Sequence, residues 1–271
     1  MERIEDQGGD GLLAGTRVID LSDGVAGAFG TRFLAGFGAD VIKVEPPGGD
    51  PTRTLPPRLS DDPDSSVLFA YLNTGKRSIV VDTASSADRE FLLRLLRTAD
   101  VIVESAPPGR WDELGIDFDA LRQEHPGLVV CSVTPFGQDG PRAGWQVDAL
   151  TAFAPGGQMM LCGDDDKPPL KTAGHQAEYQ AGLHVFASCA TALFGAQTTG
   201  NGDHIDLSIQ EAQAACLEGF GPAAMVRGTD SSRVGNSLRA IWGIYTTCRR
   251  LHRRRLHAAA VARGLPLHRP A

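Results

Sequence analysis

The segment DGVAGAFG (residues 23–30) puts small residues where an apolar run meets a helical pattern. A helix starting there leaves its first backbone N–H groups unpaired, and its dipole adds partial positive charge, so such a terminus binds anions such as phosphates. Val25, Ala26 and Gly27 occupy that terminus, and small side chains let an anion approach the backbone. Lys43, Lys76 and Arg77 are cations available to neutralise a phosphate. The same residues also have plainer uses, with Gly27 making the turn and Lys76–Arg77 forming a solvated loop tip. A nicotinamide site is not indicated. It needs G-x-G-x-x-G after the first strand, whereas Gly24, Gly27 and Gly30 fall three apart. Asp164, Asp165 and Asp166 form a solvated hairpin tip rather than a metal site, because no nearby histidine or further carboxylate completes a coordination sphere. His184 and His204 are most simply structural.

The surrounding pattern shows what would hold such a site. Residues 16–22 (TRVIDLS) are apolar and β-branched, which predicts a buried strand. Phe29, Phe33, Leu34 and Phe37 recur at helical spacing, and Gly36 and Gly38 end that helix. Residues 39–47 (ADVIKVEPP) predict a second strand, stopped by two prolines. Strand, helix and strand at this length make a βαβ unit, hence a parallel sheet with a right-handed crossover. Further strands are predicted at 78–81, 101–105 and 128–137, with another after Gly202. A helix capped by Ser86 is predicted over 86–100, one helix in 108–127 broken by Pro126, and a small-residue helix over 178–195. Residues 48–66 form a polar, Pro-rich loop, long enough to be either functional or mobile. The alternation predicts an α/β fold built on an open, Rossmann-like parallel sheet.

Composition agrees with that class: 42% of the 271 residues are hydrophobic, 22% are charged and 32 are glycine. A net charge of −7 provides no global basic field for nucleic acid. No apolar run is long enough to span a bilayer, and the acidic, Gly-rich start is unlike a signal peptide, so no membrane partner is expected. Cys131, Cys162, Cys189, Cys216 and Cys248 lie singly, which suits reduced thiols in a cytoplasmic protein.

Several segments together resemble the family III CoA-transferases, a group that includes formyl-CoA and carnitine CoA-transferases and α-methylacyl-CoA racemases. They are RVIDLSDGVAGAFGTRFLAGFGADVIKVEPPGGDPTR, LNTGKRSIVVD, ADVIVES-x-x-PG, TPFGQDGP and TGNGDHIDLSIQEA, in the family's order from about residue 15 to about residue 245. The resemblance implies a Rossmann-like large domain, a smaller domain and an interlinked homodimer. Coenzyme A is then bound as a substrate, with an acyl-CoA and a small carboxylic acid as reactants and no metal. The implied CoA-binding residues are Val25, Ala26, Gly27, Lys43, Lys76, Arg77 and Ser105. Ser105 stands where the family commonly has Asn, and Pro107 where it often has Arg, and both changes remove donors near the expected groove.

The family's nucleophile is usually an Asp a few residues before a Gly in a small-residue helix. Counting back from Gly182 without a gap puts Glu178 there, whereas aligning on Gly174 puts His175 there with an insertion. Only Glu178 can form the acyl intermediate, and a carboxylate at a helix N-terminus is also simply favoured by the dipole. Asp148 matches a helper acid that steers the acceptor, or it caps a helix. Trp145 replaces the His carried by the family's racemases, so CoA transfer is favoured over racemisation, which needs two proton-transfer groups. A non-catalytic nucleotide-binding or scaffold protein is the remaining alternative.

After Asp230 there is no acidic residue, and residues 249–271 hold seven arginines and three of the seven histidines. Such an end is what GC-rich DNA read in a shifted frame produces. The expected organisation is a leader at 1–14, the large domain at 15–220 and a linker with the start of an α+β domain at 221–248. A tail foreign to the family follows at 249–271, with the C-terminal part of the large domain missing.

Overall fold

The computed structural model describes residues 11–60, 66–228, 232, 233 and 235, and the backbone of 243–246 and 251–254. Six strands form one sheet: β1 (Arg17–Leu21), β2 (Asp40–Glu45), β3 (Arg77–Val80), β4 (Val101–Glu104), β5 (Val129–Thr134) and β6 (His204–Ser208). Their order is β3-β2-β1-β4-β5-β6, with every neighbouring pair parallel. The helices are α1 (Ala26–Gly36), α2 (Val67–Leu72), α3 (Ser86–Leu96), α4 (Arg110–Glu113), α5 (Phe118–Glu124), α6 (Ala149–Phe153), α7 (Gln158–Leu161), α8 (Gln176–Thr199), α9 (Ile209–Ala215) and α10 (Phe220–Arg227). Beyond them, β7 (Gly243–Thr246) and β8 (Leu251–Arg254) pair antiparallel. The expected linker thus opens with α10. Of the 249–271 tail, only β8 lies within the described residues.

The central strands are apolar on both faces because helices cover both. Side chains alternate along a strand, so each strand feeds two cores. Val18, Val101, Val103 and Cys131 join Leu34 of α1 and Val185 and Cys189 of α8 on one side. Ile19, Ile102 and Val130 join Leu92 and Leu96 of α3 and Leu121 of α5 on the other. Helices α1 and α8 pack closely through glycine. A Cβ on Gly182 would stand 2.6 Å from the Ala26 carbonyl, and one on Gly30 would stand 2.7 Å from Val185. This contact sets the N-terminus of α8 beside that of α1.

Two sequence expectations need correction. The single helix expected in 108–127 is two, α4 and α5, because Gly115 turns the chain at φ 75° and Asp117 caps α5 by accepting from Ala120 N. The cap of α3 is Ser85, not Ser86: its hydroxyl accepts from Asp88 N at 3.3 Å.

The loop after β2 is anchored by Glu45, which is only 2% exposed. It accepts from Arg53 Nε at 2.6 Å, Arg53 Nη2 at 2.8 Å, Asp50 N at 3.0 Å and the Ser78 hydroxyl. Burial alone would raise this carboxyl, but the donors outweigh it and hold it at about 2 against an ordinary 4.5. A depressed carboxylate contributes stability above its unfolded-state value and loses it as pH falls through its folded value. The urea midpoint is therefore expected to drop between pH 4.5 and pH 2. Arg53→Met is expected to lower stability at neutral pH and progressively less towards pH 2. A gap that stayed constant over that range would contradict this account.

Candidate active site

A cavity of about 680 Å³ opens at the carboxyl edge of the sheet. Strand order reverses between β1 and β4, and the loops leaving those strands part to opposite faces, which makes a crevice. One wall is residues 23–26 at the start of α1. The facing wall is residues 105–108 after β4, with Arg110 and Trp111. Residues 44–46, 133–135 and 143–147 close its ends, and Glu178 from α8 also lines it.

The turn into α1 is held from beneath by buried charge. Asp20 is fully buried and accepts from Lys76 Nζ at 2.9 Å, Ser22 Oγ at 2.5 Å and Thr31 Oγ1 at 2.7 Å. Burial by itself would push its carboxyl up, yet Lys76, Lys43 and Ser22 hold it far below the usual range. Lys43 Nζ lies 2.9 Å from Asp50 Oδ2, both side chains 1% exposed, and donates to the Ser22 carbonyl at 2.8 Å. Lys76 also donates to the Ala28 carbonyl and to Asn73. Neither lysine lines the cleft. Their ammonium groups answer buried carboxylates and brace the backbone that carries Val25 and Ala26. Arg77 binds Asp40, which Arg17 also contacts, at the amino ends of β3, β2 and β1, away from the cleft. Gly27 has a packing duty, since a Cβ there would lie 2.3 Å from that of Ser22.

Val25, Ala26, Ser105 and Glu178 are the expected residues that the cleft brings together. Ser105 Oγ accepts from Asp23 N at 2.8 Å and so ties the two walls. Glu178 sits in the first turn of α8 with its side chain 14% exposed. His175 Nδ1 lies 3.1 Å from its Oε1, and its Oε2 is buried without a hydrogen-bond partner. Asp148 stands outside the lining as the N-cap of α6. Its carboxylate accepts from Leu150 N, Thr151 N and the Thr151 hydroxyl. Hydrogen bonding, chiefly from Thr151, lowers its carboxyl. Gly137 and Gly140 take positive φ in turns. His204 pairs with Ser132 Oγ at 3.0 Å.

At and behind the cleft wall, Arg110 and Glu104 had no sequence signal as site residues. Arg110 is the one basic side chain on the cleft among the described residues, three positions after the Pro107 that lacks the family's arginine. Trp145 packs edge-on against Phe136 at 5.9 Å and lines the cleft. Glu104, 2% exposed, accepts from Trp111 Nε1 at 2.9 Å and Ala106 N at 2.7 Å, latching that wall to β4. Burial pushes its carboxyl up. Among the described residues, no cluster of His, Cys, Asp and Glu has the makings of a metal site, and no helix is long and apolar enough to cross a membrane.

This chain is similar to the acetyl-CoA:oxalate CoA-transferase of Acetobacter aceti, at 38% identity over 84% of the chain and 57% of the relative. It is similar to a succinyl-CoA:(R)-benzylsuccinate CoA-transferase subunit of Thauera aromatica, at 40% identity over 74% and 50%. The chain thus spans about half to three-fifths of the length of these curated relatives. Among solved structures, a CAIB/BAIF family protein from Brucella suis superposes with a TM-score of 0.82 at 33% identity, covering 87% of this chain and 64% of that one. The sequence pattern of CoA-transferase family III matches residues 13–252, the whole sheet and the cleft at its edge, and ends two residues into β8. By sequence and by fold, the chain belongs to CoA-transferase family III.

Proposed function

We propose that this chain supplies the CoA cleft and the nucleophilic carboxylate of a CoA-transferase, acting as a homodimer in the cytoplasm on an acyl-CoA and a small carboxylic acid. Residues 15–220 form the large, CoA-binding domain in this reading. The observation that carries it is the buried, unpartnered Oε2 of Glu178 on the wall of a crevice large enough for a cofactor. A carboxylate is a weak nucleophile in water, and desolvation with fixed placement is what activates it. Attack on the donor thioester forms a mixed anhydride and releases CoA thiolate. The thiolate then attacks the glutamyl carbonyl, frees the donor acid and leaves a glutamyl–CoA thioester. The acceptor carboxylate reverses these steps and departs as the new acyl-CoA.

In this reading the phosphates meet a different set of cations from the one expected from the sequence. Because Lys43 and Lys76 are committed to Asp50 and Asp20, the α1 terminus and Arg110 take the CoA phosphates. Trp111 and residues 105–108 form the facing wall.

Trapping tests the reading. The full chain is incubated with an acyl-CoA, quenched with hydroxylamine or borohydride, and mapped by mass spectrometry. Modification is expected at Glu178, and modification elsewhere, or none, defeats the proposal. A second expectation concerns the wall. Glu104→Ala leaves two donors unpaired, at about 1–3 kcal/mol each if they stay buried. By releasing Trp111, it is expected to weaken CoA binding about tenfold by titration calorimetry. Unchanged affinity would remove Trp111 from the cleft's function.

A further inference from the structure

His175 and Glu178, alternatives in the sequence, are partners in the structure. His175 precedes α8 with a non-helical backbone (φ −103°, ψ 50°), and its side chain makes no cap hydrogen bond to the helix's free N–H groups. The ring instead faces the carboxylate one turn on, Nδ1 to Oε1 at 3.1 Å, with side-chain exposures of 30% and 14%. Since only an ionised Glu178 can act as the nucleophile and an ionised carboxylate only accepts, the reactive form places the proton of this bond on Nδ1. Oε1 is thereby pinned, while Oε2 has no hydrogen-bond partner.

We propose that His175 is a positioning residue for the covalent step, holding Oε1 so that Oε2 meets the thioester carbonyl in one orientation. This rests on Glu178 as the nucleophile. A glutamate has one more rotatable bond than the aspartate usual in this family, and that freedom must be removed for attack to be efficient. In the step, the Oε2–carbon bond forms and the carbon–sulfur bond breaks. The electron pair leaves on the CoA sulfur, and the His175 proton stays on Nδ1 throughout.

Two measurements test the pair. The first is imidazole nitrogen NMR of the ¹⁵N-labelled full chain. His175 is expected in the Nδ1–H form, and Glu178→Ala is expected to shift that resonance. An Nε2–H tautomer indifferent to Glu178→Ala overturns the proposal. The second is the rate of adduct formation at Glu178 with saturating acyl-CoA. His175→Ala is expected to slow it roughly 10- to 100-fold, as a misplacement of about an ångström does, with little change in the acyl-CoA concentration at half-saturation. His175→Asn, whose amide N–H replaces Nδ1–H, is expected to restore the rate to within about fivefold of the native chain. An unaltered rate in His175→Ala, or equal slowing in both variants with equal loss of melting temperature, overturns the proposal. If the native chain gives no adduct at all, the nucleophile assignment itself has failed and the positioning role falls with it. An adduct whose rate ignores His175 leaves the nucleophile standing and removes only the histidine.

Discussion

Glu178→Gln is expected to abolish adduct formation and to slow CoA transfer by roughly three orders of magnitude or more, while CoA still binds. The substitution keeps shape and volume. The amide oxygen still accepts from His175 Nδ1, so the first turn of α8 keeps its local geometry. What is lost is the anionic Oε2, and no neighbouring carboxylate can replace it. Asp148 is engaged in capping α6 and lies outside the lining. Asp23 and Glu45 do line the cleft. Glu45, however, is locked to Arg53 and Ser78, and Asp23 sits on the wall assigned to phosphate. Single-turnover trapping and steady-state assay check this, with CoA calorimetry as the binding control. Transfer that persists within tenfold of the native rate would remove Glu178 from the chemistry.

The strands were legible because β-branched runs bounded by Gly and Pro encode a doubly covered parallel sheet whatever the chain later does. The position of Val25 and Ala26 followed from the same pattern, since the residue after the first strand of such a sheet lies at its carboxyl edge. The lysines were harder. A lysine, within a strand like Lys43 or after a glycine like Lys76, has the same sequence signature whether it faces solvent, a phosphate or a buried aspartate. Only the tertiary fold, which brings Asp20, Asp50, Lys43 and Lys76 together from separate segments, decides between these. The same holds for Glu104, whose sequence position at the end of β4 gives no sign of the buried latch it makes for Trp111. The split of α4 from α5 was written in Gly115 and Asp117, but helical periodicity on either side concealed it.

The buried lysine makes the strongest structural expectation. Lys76→Met is expected to cost about 3–5 kcal/mol, because it leaves the Asp20 charge buried without its ammonium partner. Lys43 lies near enough to lower the Asp20 carboxyl but is ion-paired with Asp50 and donates to the Ser22 carbonyl, so it offers only partial compensation. The pH dependence follows from the sign of the shift. Asp20 is depressed in the native chain, so its contribution is present above its unfolded-state value and disappears as the medium becomes acid. In Lys76→Met that contribution shrinks, so the two proteins are expected to differ most at neutral pH and to converge in acid. Asp20→Asn added to Lys76→Met removes the orphan charge and is expected to recover more than half of the loss, a coupling that a double-mutant cycle reads directly. The same ammonium also holds the Ala28 carbonyl, so the variant is expected to loosen the start of α1 and bind CoA less tightly even where it remains folded. Equal urea midpoints for Lys76→Met and the native chain at neutral pH would mean that water, not Lys76, neutralises Asp20, and that the turn into α1 is braced by hydrogen bonds alone.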